Sequence, residues 1–213
     1  MIGQTYRGKP CGSFGDLSTF SFYPNKHVTT GEGGMLVTDD DDLAERCRSL
    51  RNLCFGPARF VHEELGWNFR MTNLQAAIGL AQLERLDEFV ARKRHSFARY
   101  MTLLADIDGM QLPVACTEYA DNINWVFGVV LKDDVRMDAR EAMKRLTELG
   151  IGTRPFFWPM HEQPVFRKLG LFTGERYPEA ERIARRGFYL PSGLALTDDQ
   201  TARVADALRR ALA

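Results

Sequence analysis

The sequence lacks an excess of charge of either sign. Lys plus Arg and Asp plus Glu both total 28, so no net field draws the chain to nucleic acid or to an anionic membrane. Long apolar runs are missing too: none approaches the roughly 20 residues that a helix needs to cross a bilayer. The opening stretch MIGQTYRGKPCG has no apolar segment of the signal-peptide kind. Cysteine is scarce, and Cys11, Cys47, Cys54 and Cys116 form no CxxC pair, which suits a reducing cytosol better than a disulfide framework. His27, His62, His95 and His161 have no metal-ligand spacing. Repeats and low-complexity segments are absent. These absences predict a soluble, cytoplasmic protein without a metal, binding neither nucleic acid nor membrane. A length of 213 residues allows one large domain or two small ones with a real hydrophobic core.

What is present is a mixed α/β pattern. LSTFSFY (17–23) is β-branched and aromatic and reads as a buried strand, and GGMLVT (33–38) as a second one. The four aspartates at 39–42 read as caps for a helix through LAERCRSLRN rather than as metal ligands. From Thr72 one long helix is expected, with Leu74, Ala77, Ile78, Ala81, Leu83 and Leu86 as a broad apolar stripe. Its basic stretch ARKRH (91–95) reads as a solvated face. A strand at WVFGVVL (125–131), a helix over 138–150 closed by Gly150, and a short strand near 151–157 follow. Helices at about 178–187 and 197–212 complete the pattern. The expected organisation is a first part over 1–95 and a compact α+β part over 96–213.

The stretch SFYPNKHVTTGEGGMLVT (21–38) carries the chemistry. Lys26 lies between a strand-like run and a glycine cluster, a setting that a solvated surface lysine does not need. Ser21, five residues earlier, offers a hydroxyl suited to a phosphate oxygen. Gly31, Gly33 and Gly34 permit turns and close backbone approach. An amine, a hydroxyl and a tight glycine loop suit a cofactor with both an aldehyde and a phosphate, which is pyridoxal phosphate. A hairpin with an incidental lysine satisfies the same local pattern, and these residues alone leave both readings open.

GSFGDLSTFSFYPNKHVTTGEGGMLVTDD (12–40), RNLCFGP, GWNFRMTNLQAAIGLAQLERLD (66–87) and LPSGLALTDDQ together resemble the DegT/DnrJ/EryC1/StrS family of pyridoxal-phosphate-dependent sugar aminotransferases. The resemblance covers nearly the whole chain. It implies an α/β fold of the aspartate aminotransferase type (fold type I), comprising the C-terminal part of the large domain plus the small α+β domain. It implies that Lys26 carries the cofactor and acts as its catalytic base, and that Ser21 contacts the cofactor phosphate. Asn68 would reach the phosphate of a neighbouring subunit's cofactor, so that sites form across a homodimer. A lysine at 26 also argues against the related dehydratases, in which a histidine stands there. NWVFGVVL (124–131), GIGTRPFFWPMHEQP (150–164) and LPSG (190–193) look most like the GDP-perosamine synthase branch. That branch aminates C4 of GDP-4-keto-6-deoxymannose with glutamate as donor, for O-antigen-type polysaccharides. On this resemblance Phe156, Phe157, Trp158 and His161 would lie near the sugar nucleotide; a Pro-bounded aromatic loop that packs the small domain explains them equally well. Relatives carry a long section before the point matched by MIGQTYRGKP, including an aspartate for the pyridine nitrogen and a ring-stacking aromatic. The expectation is that this chain alone is a poor catalyst and prone to aggregate. The alternative to an aminotransferase is a catalytically incompetent remnant that associates with a full-length relative.

Overall fold

In the computed structural model, residues 2–58 and 60–213 are described. In chain order the elements of the first half are β1 (Thr5–Tyr6), β2 (Lys9–Pro10), β3 (Ser18–Ser21), β4 (Gly34–Val37), α1 (Asp41–Arg51), α2 (Asn73–Leu83) and α3 (Leu86–Leu104). The second half holds β5 (Met110–Gln111), β6 (Ala120–Asp121), β7 (Phe127–Leu131), α4 (Ala139–Glu148), β8 (Arg154–Pro155), a 3-10 turn (Met160–Glu162), α5 (Pro164–Lys168), α6 (Pro178–Arg186), β9 (Gly187–Leu190) and α7 (Asp198–Leu212). They form two compact units, Met1–Ala91 with Cys116–Ile123, and Arg92–Ala115 with Asn124–Ala213.

The first unit contains two small antiparallel sheets. One has the order β2-β1-β6, with Thr5 opposite Asp121, so the 116–123 segment pairs with the start of the chain. The other is the ribbon β3–β4, in register from Ser18↔Val37 to Ser21↔Gly34. The strand expected over 17–23 forms, shortened to β3, but it is not buried: its residues alternate between half-buried and exposed. β3 pairs with β4 alone among the described residues, and a two-stranded ribbon leaves much of its surface uncovered. The aspartate cap is as read, and a second cap stands at Thr72. Asp40 Oδ1 accepts from Leu43 N–H at 2.9 Å to start α1, and Thr72 with Gln75 forms a reciprocal capping box at the start of α2.

The single helix expected from Thr72 is two helices. At Glu84–Arg85 the ladder tightens, with Arg85 N–H donating to Gln82 O at 3.0 Å, a three-residue step that redirects the chain. The break falls where the Gln82 side chain binds the backbone of Thr29.

The second unit is built on an antiparallel sheet of order β5-β7-β9-β8. Period-two alternation sorts its faces. Phe127, Val129 and Leu131 of β7 and Phe188 and Leu190 of β9 enter one core with Tyr100 and Leu104 of α3, Ala142 and Leu146 of α4, and Val204 and Leu208 of α7. Asp138 caps α4 and Thr197 caps α7 through their side chains. Gly150, at φ +76°, closes α4: its N–H donates to Thr147 O and that of Ile151 to Leu146 O, both at 2.9 Å, a Schellman end.

The basic stretch of α3 departs from a solvated face at one position. Lys93 is only 7% exposed, and its ammonium donates to Trp125 O at 2.8 Å and to Ser192 O. Tyr100, two turns on, donates to Pro191 O at 2.9 Å. Together they hold the LPSG turn, whose Ser192 Oγ accepts from Phe127 N–H. Burial pushes the Lys93 amine down to about 8 and the Tyr100 phenol up. An unfolded lysine keeps its proton to about pH 10.4, so between pH 8 and 10 the unfolded chain binds more protons than the native one. Stability of the second unit is therefore expected to rise by about 1–3 kcal/mol over that window, and to fall again above pH 10 as Tyr100 resists ionisation in the fold. Urea unfolding at pH 7.5, 9 and 10 measures this, and Lys93→Met should flatten the rise.

Candidate functional site

Lys26 sits in a loop that closes on itself. The backbone of Phe22 is the clasp: its N–H donates to Gly33 O at 2.9 Å, and its carbonyl accepts from Thr30 N–H at 3.0 Å and from Thr29 Oγ1 at 2.8 Å. Within the loop, Lys26 N–H donates to Tyr23 O at 2.9 Å, turning the chain at Tyr23–Lys26. The residues after it are anchored, with His27 and Val28 buried and His27 Nε2 bonded to Ile2 O at 3.0 Å. Lys26 itself is half-buried. Ser21 lies at the exposed end of β3, where its Oγ accepts from Tyr23 N–H at 3.4 Å and keeps its own proton for another acceptor.

The loop leaves through glycines because its path demands them. Gly33, at φ +146°, would place a Cβ 2.6 Å from Thr30 Oγ1, and that hydroxyl is committed to Glu32 O at 2.7 Å. These features fit a pyridoxal-phosphate site: a primary amine on a hydrogen-bonded turn, a hydroxyl with a proton to donate at the end of β3, and glycine, Gly34, opposite that hydroxyl across the ribbon. A groove of about 940 Å³ in the same unit is lined by Gly33, Met35, Arg48, Arg51, Phe69 and Arg70 among others; Ser21 and Lys26 stand outside it.

Asn68 lies on an exposed stretch leading to α2. It is bridged antiparallel to Asn52 beyond α1, its Oδ1 accepts from Arg70 Nε at 2.8 Å, and Arg70 Nη1 donates to Asn52 Oδ1 at 3.2 Å. Its amide N–H groups have no acceptor among the described residues.

In the second unit the aromatic loop divides. The Phe156 ring lies against Gly128 of β7 and Gly187 of β9, where a Cβ would come within 2.4 and 2.1 Å of it, so this ring packs the sheet face opposite the core. Phe157 is 74% exposed. Trp158 is half-exposed under the Arg185 guanidinium, 5.0 Å from its ring centre. His161 is buried, with Nε2 3.1 Å from Glu181 Oε1. The ligand-type atoms of His161, Glu162 and Glu181 lie within 4.8 Å of one another. Arginines already hold both carboxylates, Arg185 gripping Glu162 at 2.8 and 3.0 Å and Arg176 reaching Glu181 at 3.3 Å, so the cluster is an ion-pair network. Arg176 and the Tyr177 N–H, with His161, hold the Glu181 carboxyl below the usual carboxylate range, the backbone N–H most of all.

Sequence reasoning missed the residues that grip the lysine loop. Gln75, Gly79 and Gln82 share one face of α2: Gln75 Nε2 donates to Glu32 O at 3.0 Å, and Gln82 bonds Thr29 twice. The apolar residues of the expected stripe, Leu74, Ile78 and Leu83, are the exposed ones. The available signal was the i, i+4, i+7 spacing of two glutamines about a glycine.

The fold, a mixed α/β chain ending in a small antiparallel α+β unit, is that of the pyridoxal-phosphate-dependent sugar aminotransferases of fold type I. The chain belongs to the DegT/DnrJ/EryC1/StrS aminotransferase family, whose sequence profile matches residues 1–209 and whose members depend on pyridoxal phosphate. It is similar to the GDP-perosamine synthase of Caulobacter vibrioides, 40% identical over 212 residues, covering 99% of this chain and 56% of that protein. Among solved structures it resembles the aminotransferase TlmJ from Streptoalloteichus hindustanus, with a TM-score of 0.87 and 31% identity over 98% of this chain and 55% of that one. It also resembles S. venezuelae DesV in complex with a ketimine intermediate, with a TM-score of 0.81 and 35% identity over 98% and 54%. The chain thus spans little more than half the length of these relatives. No helix among the described residues is long and apolar enough to cross a membrane.

Proposed function

We propose that this chain supplies the lysine-bearing part of a cytoplasmic enzyme that moves an amino group from glutamate to a nucleotide-linked keto sugar. The substrate we assign is GDP-4-keto-6-deoxymannose and the product GDP-perosamine, for O-antigen-type polysaccharide. One observation supports the reading above all: Lys26 stands on a loop clasped at Phe22 and anchored on both sides, inside a chain of aminotransferase family. The GDP sugar follows from the likeness to a GDP-perosamine synthase.

Bound pyridoxal phosphate supplies an electron sink for the carbon that loses a proton. Lys26 would hold the cofactor through its amine, and that amine, when not so engaged, would be the base that takes the proton from the glutamate α-carbon and the acid that gives one to C4 of the sugar. A clasped loop favours both tasks, because the released amine stays within reach of both positions. Ser21 O–H donates to the cofactor phosphate, and the Asn68 amide donates to that of a second copy. Phe157 and Trp158 offer exposed aromatic faces to the sugar nucleotide, while Phe156 and His161 hold their loop in place.

The test supplies the purified holoprotein with glutamate and GDP-4-keto-6-deoxymannose beside TDP- and UDP-linked 4-keto sugars, and reads amino-sugar formation by mass. Amination of the GDP sugar is expected to dominate. Equal or faster turnover of another nucleotide sugar overturns the GDP assignment, and no amination of any of them by cofactor-loaded protein that also carries the section its relatives have before this chain overturns the aminotransferase reading.

A further inference from the structure

Gln82 of α2 meets the lysine loop as a strand partner would. Its Oε1 accepts from Thr29 N–H at 3.1 Å and its Nε2 donates to Thr29 O at 2.6 Å, so one side-chain amide satisfies both backbone groups of one residue 53 positions away. Nε2 also donates to Ile78 O at 2.9 Å, which fixes the amide's orientation on its own helix. Thr29 is not a passive partner. Its Oγ1 donates to Phe22 O at 2.8 Å and accepts from Gly31 N–H at 3.0 Å, so the residue Gln82 holds is itself half of the clasp.

A second contact reinforces the first. Gly79, one turn before Gln82, presses so close to the loop that a Cβ there would lie 2.9 Å from Thr30 Cγ2. Thr30 is buried, and its hydroxyl is committed to Glu32 O, so its methyl has little room to retreat. A third contact, Gln75 to Glu32 O, extends the grip past the clasp. The closed end of the loop is therefore held against one face of α2.

We infer that Gln82 is a positioning residue for Lys26, setting the height of the amine through the Thr29 junction; this rests on the proposed role of Lys26. A side chain that only filled space between helix and loop would not need to match both a donor and an acceptor. A loop with a merely surface-exposed lysine would not need its closed end held at three points.

The experiment compares the wild-type protein with Gln82→Met, which keeps length and helix propensity but makes neither bond, with Gln82→Glu, which keeps the acceptor alone, and with Gly79→Ala. In the apoprotein, amide hydrogen exchange over 22–33 should quicken at least about tenfold in Gln82→Met and less in Gln82→Glu, with the thermal midpoint almost unmoved. Gly79→Ala favours the helix by propensity yet should displace the loop, quickening the same exchange without loss of overall stability. With pyridoxal phosphate added, the rate of borohydride-fixable attachment at Lys26 should fall about tenfold in Gln82→Met, and the pH at which the attached cofactor's visible band titrates should shift. Exchange within twofold of wild type in both Gln82→Met and Gly79→Ala overturns the clamp. Faster exchange with unchanged attachment rate and unchanged band titration leaves the clamp purely structural and overturns the positioning role. A wild-type protein that attaches no cofactor at Lys26 overturns the proposed function and the positioning role with it, while the exchange data still report whether the clamp exists.

Discussion

Replacing Lys26 by alanine is expected to lower glutamate-dependent amination at least about a thousandfold, because a positioned general base alone contributes about 10²–10⁴ in rate and the tether is lost with it. The KM for the sugar nucleotide should change little, since the amine acts on the reacting carbons rather than on the nucleotide. The protein should fold as before: the clasp is made by Phe22, Thr29, Thr30 and Gly33, and the bond within the turn, to Tyr23, uses the Lys26 backbone N–H rather than its side chain. Peptide mapping after borohydride reduction with pyridoxal phosphate gives an independent readout, with the label on Lys26 in the wild type and absent from the variant. Full activity in Lys26→Ala, with label on another lysine, removes Lys26 from the mechanism.

Substituting Leu74 and Ile78 together by aspartate is expected to abolish self-association. Leu74 is 81% and Ile78 52% exposed, although α2 is among the more apolar helices of the chain. They lie near the stacked rings of Trp67 and Phe69 in sequence, themselves exposed, 6.0 Å apart and nearly parallel. The inward face of α2 is taken by Gln75, Gly79 and Gln82, and its leucines and isoleucine are exposed among the described residues. Exposed apolar side chains of this kind suit a symmetric contact with a second copy, and such a contact would carry Asn68 to that copy. Burying a leucine or isoleucine is worth about 1.5–3 kcal/mol each, and an aspartate in its place adds a desolvation cost. The two changes should weaken the dimer at least about a thousandfold. Sedimentation of wild type and variant at micromolar concentration decides it: a wild-type monomer, or a variant that still dimerises, overturns the assignment.

Much of the second unit could be read directly. The strand read at WVFGVVL forms as β7, helices begin close to 138 and 197 as expected, there capped by Asp138 and Thr197, and Gly150 closes α4 with the left-handed turn that its lack of a Cβ permits. The strands β5, β6 and β9 were harder to see. At two to four residues they are too short for a period to show, and their pairing partners lie far along the chain. The candidate site was legible as chemistry, in Lys26, Ser21 and the glycines that follow, because amine, hydroxyl and backbone freedom are properties of residue types.

What local sequence could not express was which face of a helix meets the rest of its own chain. Hydrophobic periodicity assigns an apolar stripe to the interior, yet in α2 two glutamines and a glycine turn inward and the stripe stays outside. Likewise Lys93, one cation in a basic run, is drawn between the LPSG turn and the start of β7, where the carbonyls of Ser192 and Trp125 take its protons. The sequence by itself determined the residue types available for the chemistry, the aspartate cap of α1, and the strand and helix positions of the second unit, since each depends on neighbours within a few residues. The grip of Gln82 on Thr29 and the burial of Lys93 were decided by tertiary structure alone, because each satisfies a backbone polar group with a partner distant in sequence, and only the folded chain brings the two within hydrogen-bond reach.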